Sequence, residues 1–293
     1  MNTVRATLVQ VLEVGNTLGE GVLWDEIGQR VWWTDIQERL LYRYHPVQDI
    51  LEKFALPERL GSFGFVEGSD RIVAAFESGL AFYHPESAKL EWIERPDLTA
   101  GNLRFNDGRV DRLGRFWAGT MVEGNGEPTG KLYCLRRGLV EAPLHDVAIS
   151  NGACFSPDGR HMYFADSRQF AIQRFDMDPD SGALKNRQIF ARTSAGIFPD
   201  GATVDMEGHV WSAQWGAGRV VRYAPDGSPC GVVELPVTQP TCIAFGNAAL
   251  DHLFVTTARE DLSSDALSSQ PKAGHLFVYK TNLKGLPEPR YLP

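Results

Sequence analysis

Glu20, Asn106, Asn151 and Asp200 carry side-chain oxygens and recur at nearly even intervals, with Ser62 and Thr241 completing the series. The steps between these six positions are 42, 44, 45, 49 and 41 residues. Carboxylates and amides are hard oxygen donors, so two of each brought to one point suit a divalent cation. Seven histidines are scattered along the chain and none falls in the series, which argues against a closed tetrahedral zinc site built on imidazole. Arg104 precedes Asn106 by two residues and shares its face in an extended chain. Its fork of donors could hold an anionic or polyhydroxylated ligand beside the oxygens.

Each residue of the series heads a repeat. In the copy that begins at Asn151, small and apolar residues lead into Ser156-Pro157-Asp158-Gly159, a tight turn with φ set at Pro and left free at Gly, and Met162 to Ala165 returns as the second arm. Turns at Gly28, Gly68, Gly114 and Gly208 mark the same hairpin elsewhere. A further strand follows in every copy, as at Leu40–Tyr44, Leu80–Tyr83, Lys131–Leu135, Ile172–Phe175, Val220–Tyr223 and Leu276–Tyr279. A period in the forties with short strands, Gly-rich turns and no helical periodicity marks a β-propeller. The expected fold is therefore all-β: one domain over residues 1–293, a six-bladed β-propeller of four-stranded blades, with the metal site at one end of the central channel. First strands line such a channel, so the six heads should meet at its mouth. Channel mouths are wet and polar in any propeller; the oxygen chemistry of this one argues for more.

Strands run up and down, so the turns from second to third strand should ring the same mouth. They carry Asp35, Glu77, Glu123, Asp166, Gln214 with Trp215, and Thr256-Thr257. Residues 5–14 have β character ahead of the first head, and the strand they form is expected to complete the last blade and remove its open edge. Trp24, Trp32 and Trp33 read as packing between blades, and residues 263–273 as a polar excursion in blade six.

Composition bounds the function. At 293 residues and 43% apolar the chain can bury a large core. The formal charge of −8, with no basic run, argues against nucleic-acid and anionic-membrane partners, and nothing points to an obligatory protein partner. Cys134, Cys154, Cys230 and Cys242 form no close pair and read as buried free thiols. The start, Met1 to Thr7, lacks the apolar run of a signal peptide, and no eighteen consecutive residues are apolar, so a soluble cytoplasmic protein is expected.

At Leu18-Gly19-Glu20-Gly21, Arg104-Phe105-Asn106-Asp107-Gly108, Ala118-Gly119-Thr120-Met121, Ser150-Asn151-Gly152 and Pro199-Asp200-Gly201, the chain resembles the SMP-30/gluconolactonase/regucalcin family of six-bladed propellers. The resemblance runs through essentially the whole chain in order and is closest to the bacterial sugar lactonases. It implies one divalent metal held by Glu20, Asn151 and Asp200, with Arg104 and Asn106 contacting the substrate. Some members place a Glu just after Gly-Thr-Met, where this chain has Glu123. The implied activity is hydrolysis of an aldonolactone to its sugar acid, and the metal could be calcium, zinc, manganese or iron(II), because oxygen ligands alone do not choose among them.

For that reaction a cation polarises the carbonyl or activates the water. Asp200 is then the best general base, with no histidine in the series, while Arg104, Asn106 and Glu123 orient sugar hydroxyls. Two other readings use the same residues: hydrolysis of organophosphates or aryl esters at the same metal, and a non-enzymatic calcium-binding regulator.

Overall fold

The hairpin turns show how local chemistry builds the blades. In Asp111-Arg112-Leu113-Gly114 the Asp111 carboxylate accepts the backbone N–H groups of Leu113 (2.9 Å) and Arg115 (3.0 Å), and Gly114 adopts a φ of 81°. Its other oxygen accepts the indole N–H of Trp117 on the returning strand (2.8 Å) and pairs with the buried Arg115. Asp205 repeats the device two blades on. It takes the N–H groups of Glu207 and His209 (both 3.0 Å), the indole of Trp211 (2.9 Å) and Arg222 Nε (2.8 Å).

The protein is described by a computed structural model over residues 4–293, so the first three residues of the chain's start lie outside the described residues. Six four-stranded antiparallel sheets stand around an axis as a six-bladed propeller, as expected. Their inner strands are Gly19–Asp25, Leu60–Phe65, Leu103–Val110, Ser150–Phe155, Phe198–Val204 and Pro240–Gly246, each touching the next around a closed ring. In blade six the outermost strand is Ala6–Leu12, paired antiparallel to Leu276–Thr281 with Ala6 opposite Thr281 and Leu12 opposite Leu276. The N-terminal strand thus supplies the backbone partners that the last blade would otherwise lack.

The inner and second strands are buried almost throughout, and the core lies between adjacent sheets. Trp24 stacks on Phe254 of blade six at 5.8 Å between ring centroids, and Trp32 meets Phe65 of blade two edge-on at 6.0 Å. These tryptophans therefore join blade one to both neighbours. All four cysteines are free; three are buried as expected, whereas Cys230 is only half-buried. The excursion in blade six contains one short helix, Ser264–Ser269, capped by Ser263, whose hydroxyl accepts the N–H of Ala266 (3.2 Å). No helix among the described residues is long and apolar enough to cross a membrane.

Residues 282–293 cross the end of the propeller away from the repeat heads. Met206 N donates to Lys284 O (2.9 Å) and Gly285 N to Leu250 O (2.8 Å) on one side of the axis. On the other, Tyr291 N donates to Phe65 O (2.7 Å) and Leu292 N to Gly114 O (2.9 Å), with the Tyr291 ring fully buried. The tail thus ties blades five and six to blades two and three.

Candidate active site at the channel mouth

Every inner strand carries a register shift beside its head residue, at or just after it in five blades and just before it in blade two. In the third, Phe105 pairs with Thr120 but Gly108 with Ala118; in the fourth, Asn151 pairs with Ala165 but Cys154 with Tyr163. Blades one, two, five and six do the same between Glu20 and Leu23, Leu60 and Ser62, Pro199 and Ala202, and Pro240 and Ile243. Such bulges twist a strand and re-aim its side chains. Gly21 and Gly152, which follow Glu20 and Asn151, sit at φ of 58° and 60°, where only glycine is unstrained.

One cavity of ≈ 220 Å³ collects four of the six heads, Glu20, Asn106, Asn151 and Asp200, together with Arg104. Glu20, Asn151 and Asp200 are each only 6% exposed. Of the other two heads, Ser62 is fully buried, and Thr241 turns its hydroxyl to Gly19 O (2.5 Å) and Thr256 Oγ1 (2.9 Å); neither lines the cavity. The expected six-membered column is therefore four-membered.

The Glu20 and Asp200 carboxyls lie within hydrogen-bonding reach of each other. Burial first, and then neighbouring negative charge (Asp107 beside Glu20, Glu20 and Asp107 beside Asp200), push both carboxyls well above the ordinary carboxylate range. Glu20 Oε2 has one backbone donor, Gly21 N at 3.0 Å.

Asn151 is held from both ends: its Oδ1 accepts from Asn106 Nδ2 (3.1 Å) and its Nδ2 donates to Ser167 Oγ (2.9 Å), which in turn donates to Pro199 O (2.7 Å). This fixes which end of the amide is oxygen. Asn106 Nδ2 also donates to Ser150 O (2.9 Å), and its Oδ1 accepts from Arg104 Nη1 (2.7 Å). Two carboxylates that repel each other and an amide oxygen of fixed orientation fit a hard divalent cation, which would replace the protons the pair otherwise needs.

Glu123 stands outside the cavity lining. Its carboxylate takes Arg59 through two bonds (2.6 and 3.1 Å) and lies 3.4 Å from Arg104 Nε; hydrogen bonds from Arg59 hold it below the usual carboxylate range. The other residues expected to ring the mouth divide similarly. Glu77 also binds Arg59, and only Trp215 reaches the cavity. Asp35 and Asp166 turn away from the mouth to accept backbone N–H groups: Asp35 from Thr17 (2.9 Å) and Leu18 (3.1 Å), Asp166 from Ala148 and Ile149 (both 3.0 Å).

Three residues escaped the reading of the sequence. Ser167 follows Asp166 in a turn already under suspicion. Glu260 enters the cavity from the connection that follows strand His252–Thr257, just ahead of the polar excursion at 263–273. Asp107 follows a head residue, and simple alternation puts it on the opposite face of the strand. The bulge undoes that alternation. Asp107 is buried, accepts Ala153 N (3.2 Å), and its charge acts on both Glu20 and Asp200. The remaining lining, Leu18, Met121, Ile149, Phe198 and Trp215, makes an apolar wall facing the oxygens.

The chain is 38% identical to a 6-deoxy-6-sulfogluconolactonase of Pseudomonas putida over 98% of its own length and 99% of the relative's. It is also 38% identical to an L-arabinolactonase of Azospirillum brasilense, over 98% and 95%. The crystal structure of a calcium-binding protein, regucalcin, from Agrobacterium tumefaciens superposes with a TM-score of 0.92 at 32% identity, covering 97% of each chain. Residues 18–259 match the SMP-30/gluconolactonase/LRE-like region, and the chain belongs to that family.

Proposed function

We propose that this protein hydrolyses an aldonolactone, a pentono- or hexonolactone, to its sugar acid, with one divalent cation held by Glu20, Asn151 and Asp200. The observation that carries this reading is the meeting of those three oxygen donors with Arg104 and Asn106 in one cavity. The sugar lactonases among the relatives support the substrate class, and the calcium-binding relative supports the cation. A bound cation supplies Lewis acidity, lowering the cost of negative charge on the lactone carbonyl or of ionising water.

The chain's own residues do the rest. Asp200 is placed to take the proton of the attacking water, and burial, with the nearby negative charges after it, keeps its carboxyl basic. Arg104 is turned toward the cavity by its bond to Asn106 and by Glu123 behind it, so its guanidinium orients the hydroxyls of the polyol. Asn106 spends both amide donors on Ser150 O and Asn151 Oδ1, so it acts on the substrate side chiefly by fixing Asn151. The apolar wall gives the ring's C–H faces a surface to lie on.

Arg104→Ala is accordingly expected to lower kcat/KM about tenfold to a hundredfold, the loss of roughly 1.5–3 kcal/mol of charged hydrogen bonding. Its cation affinity by calorimetry should remain close to wild type. Loss of the cation in that variant would move Arg104 from the substrate to the metal.

The function itself is tested with a panel of pentono- and hexonolactones, assayed after chelation and after re-addition of calcium, zinc, manganese or iron(II). Failure of every lactone with every metal rejects it. The five apolar residues of the lining favour one alternative, an organophosphate or aryl-ester substrate at the same cation, and paraoxon in the same panel separates the two.

A further inference from the structure

Arg109 lies beneath the site, on the axis. It is 7% exposed, and its guanidinium donates to Ala202 O and to Ile243 O (3.3 Å), the carbonyls two residues beyond the heads Asp200 and Thr241. Two strand residues put it roughly 7 Å below those heads. Its Nη2 also meets Glu288 Oε1 at 2.8 Å, and Glu288 belongs to the tail that crosses the far end of the propeller. The ion pair is buried, with side-chain exposures of 8% and 9%. Arg112, which donates to Pro287 O (2.9 Å), feels the same carboxylate. Above Arg109 stands Asp107, and above Asp107 the Glu20 and Asp200 carboxyls.

The axis is therefore a column of charges that begins on the C-terminal tail: Glu288 negative, Arg109 positive, Asp107 negative, then the paired carboxyls. Cys154 and Cys242 also lie near Arg109, and burial raises both thiols, Cys154 to about 12, so they stay neutral beside it. An arginine cannot shed its proton to escape an unpaired environment. Its charge in this channel is balanced by Asp107 from above and Glu288 from below.

We propose that Glu288 determines the cation affinity of the mouth site from the opposite end of the channel, by neutralising Arg109 beneath it. This rests on the cation reading given above. Without Glu288, Arg109 keeps only Asp107 to offset its charge and stands beside Arg112, so the more positive potential under the site opposes an incoming divalent ion. Charge acts over such distances in a poorly hydrated interior, where screening is weak. The tail is thus a positioning element of the site as well as a strap across the blades.

The test is calorimetric titration of calcium chloride into chelated protein at pH 8, for wild type, Glu288→Gln, Arg109→Met and the double variant, each first compared with wild type by circular dichroism. Glu288→Gln is expected to bind calcium about tenfold to a hundredfold more weakly, and Arg109→Met no more weakly than wild type. The double variant, which removes both charges of the pair, should return to within about threefold of wild type. A purely structural role predicts instead that both single variants weaken binding and that the double is worse. Glu288→Gln binding within twofold of wild type, or a double variant as weak as the single, overturns the proposal while leaving the cation site standing. Wild-type protein that takes up neither calcium, manganese nor zinc removes the cation site and this inference together. Should Glu288→Gln not fold, Arg109→Met decides alone, because weakened binding there contradicts the charge argument.

Discussion

Asp200→Asn is expected to remain slow in lactone hydrolysis by about 10²–10⁴-fold even at saturating metal, the usual cost of losing a general base. An amide still offers an oxygen to a cation but cannot accept the proton of the attacking water. Glu20→Gln makes the complementary case. Its carboxyl lies beside that of Asp200 but is assigned only to cation binding, so raising the metal concentration should restore most of its activity. The comparison isolates proton transfer from affinity because both changes are isosteric and remove one negative charge from the same cavity. Rates must be measured above the spontaneous opening of the lactone. If Asp200→Asn recovers to near wild-type turnover under saturating metal, the base lies elsewhere. Glu123 is the weaker candidate for it, because its oxygens are taken by Arg59 and it stands outside the cavity. Asp107 is the nearer carboxyl, raised to about 6 chiefly by burial.

A second large effect is expected far from the mouth. Asp111→Ala should destabilise the fold by about 3–5 kcal/mol, the cost of leaving a buried charge without its partner. Arg115 would lose its carboxylate, Trp117 the acceptor of its indole N–H, and the turn two backbone acceptances, all inside a hairpin with Arg115 only 3% exposed. Asp205→Ala removes the equivalent group from blade five, orphaning the Trp211 indole while Arg222 keeps Glu207 (2.6 Å), and should destabilise in the same direction by less. Urea unfolding followed by tryptophan fluorescence reads both. A loss below about 1 kcal/mol would mean that water or a shifted Arg115 replaces the carboxylate. Calcium affinity of the folded variants should stay unchanged, in contrast to Glu288→Gln, which acts on affinity through charge.

What could be read from the sequence alone was local or periodic. The Asp-x-x-Gly turns specify their own hairpins, because their hydrogen bonds join residues two to six apart. Six copies of such a hairpin imply a ring, and the ring's symmetry brings Glu20, Asn106, Asn151 and Asp200 together across 180 residues of chain without any pairwise signal. The N-terminal strand in the last blade followed from the same logic, since a ring of repeats needs its open edge covered. What broke the periodicity could be settled only in three dimensions. A bulge in the third inner strand turns Asp107 inward against the alternation of an ideal strand, and no residue type announces it. Asp35 and Asp166 look like mouth residues by position, yet nearby backbone N–H groups claim their oxygens first. Ser167 acquires its role from Pro199, 32 residues away, and Arg109 from Glu288, 179 residues away. Such contacts depend on where the closed ring and the strap beneath it place two backbones. A sequence carries its turn chemistry and its period within short windows, whereas these charges find their partners only after the last blade has closed on the first.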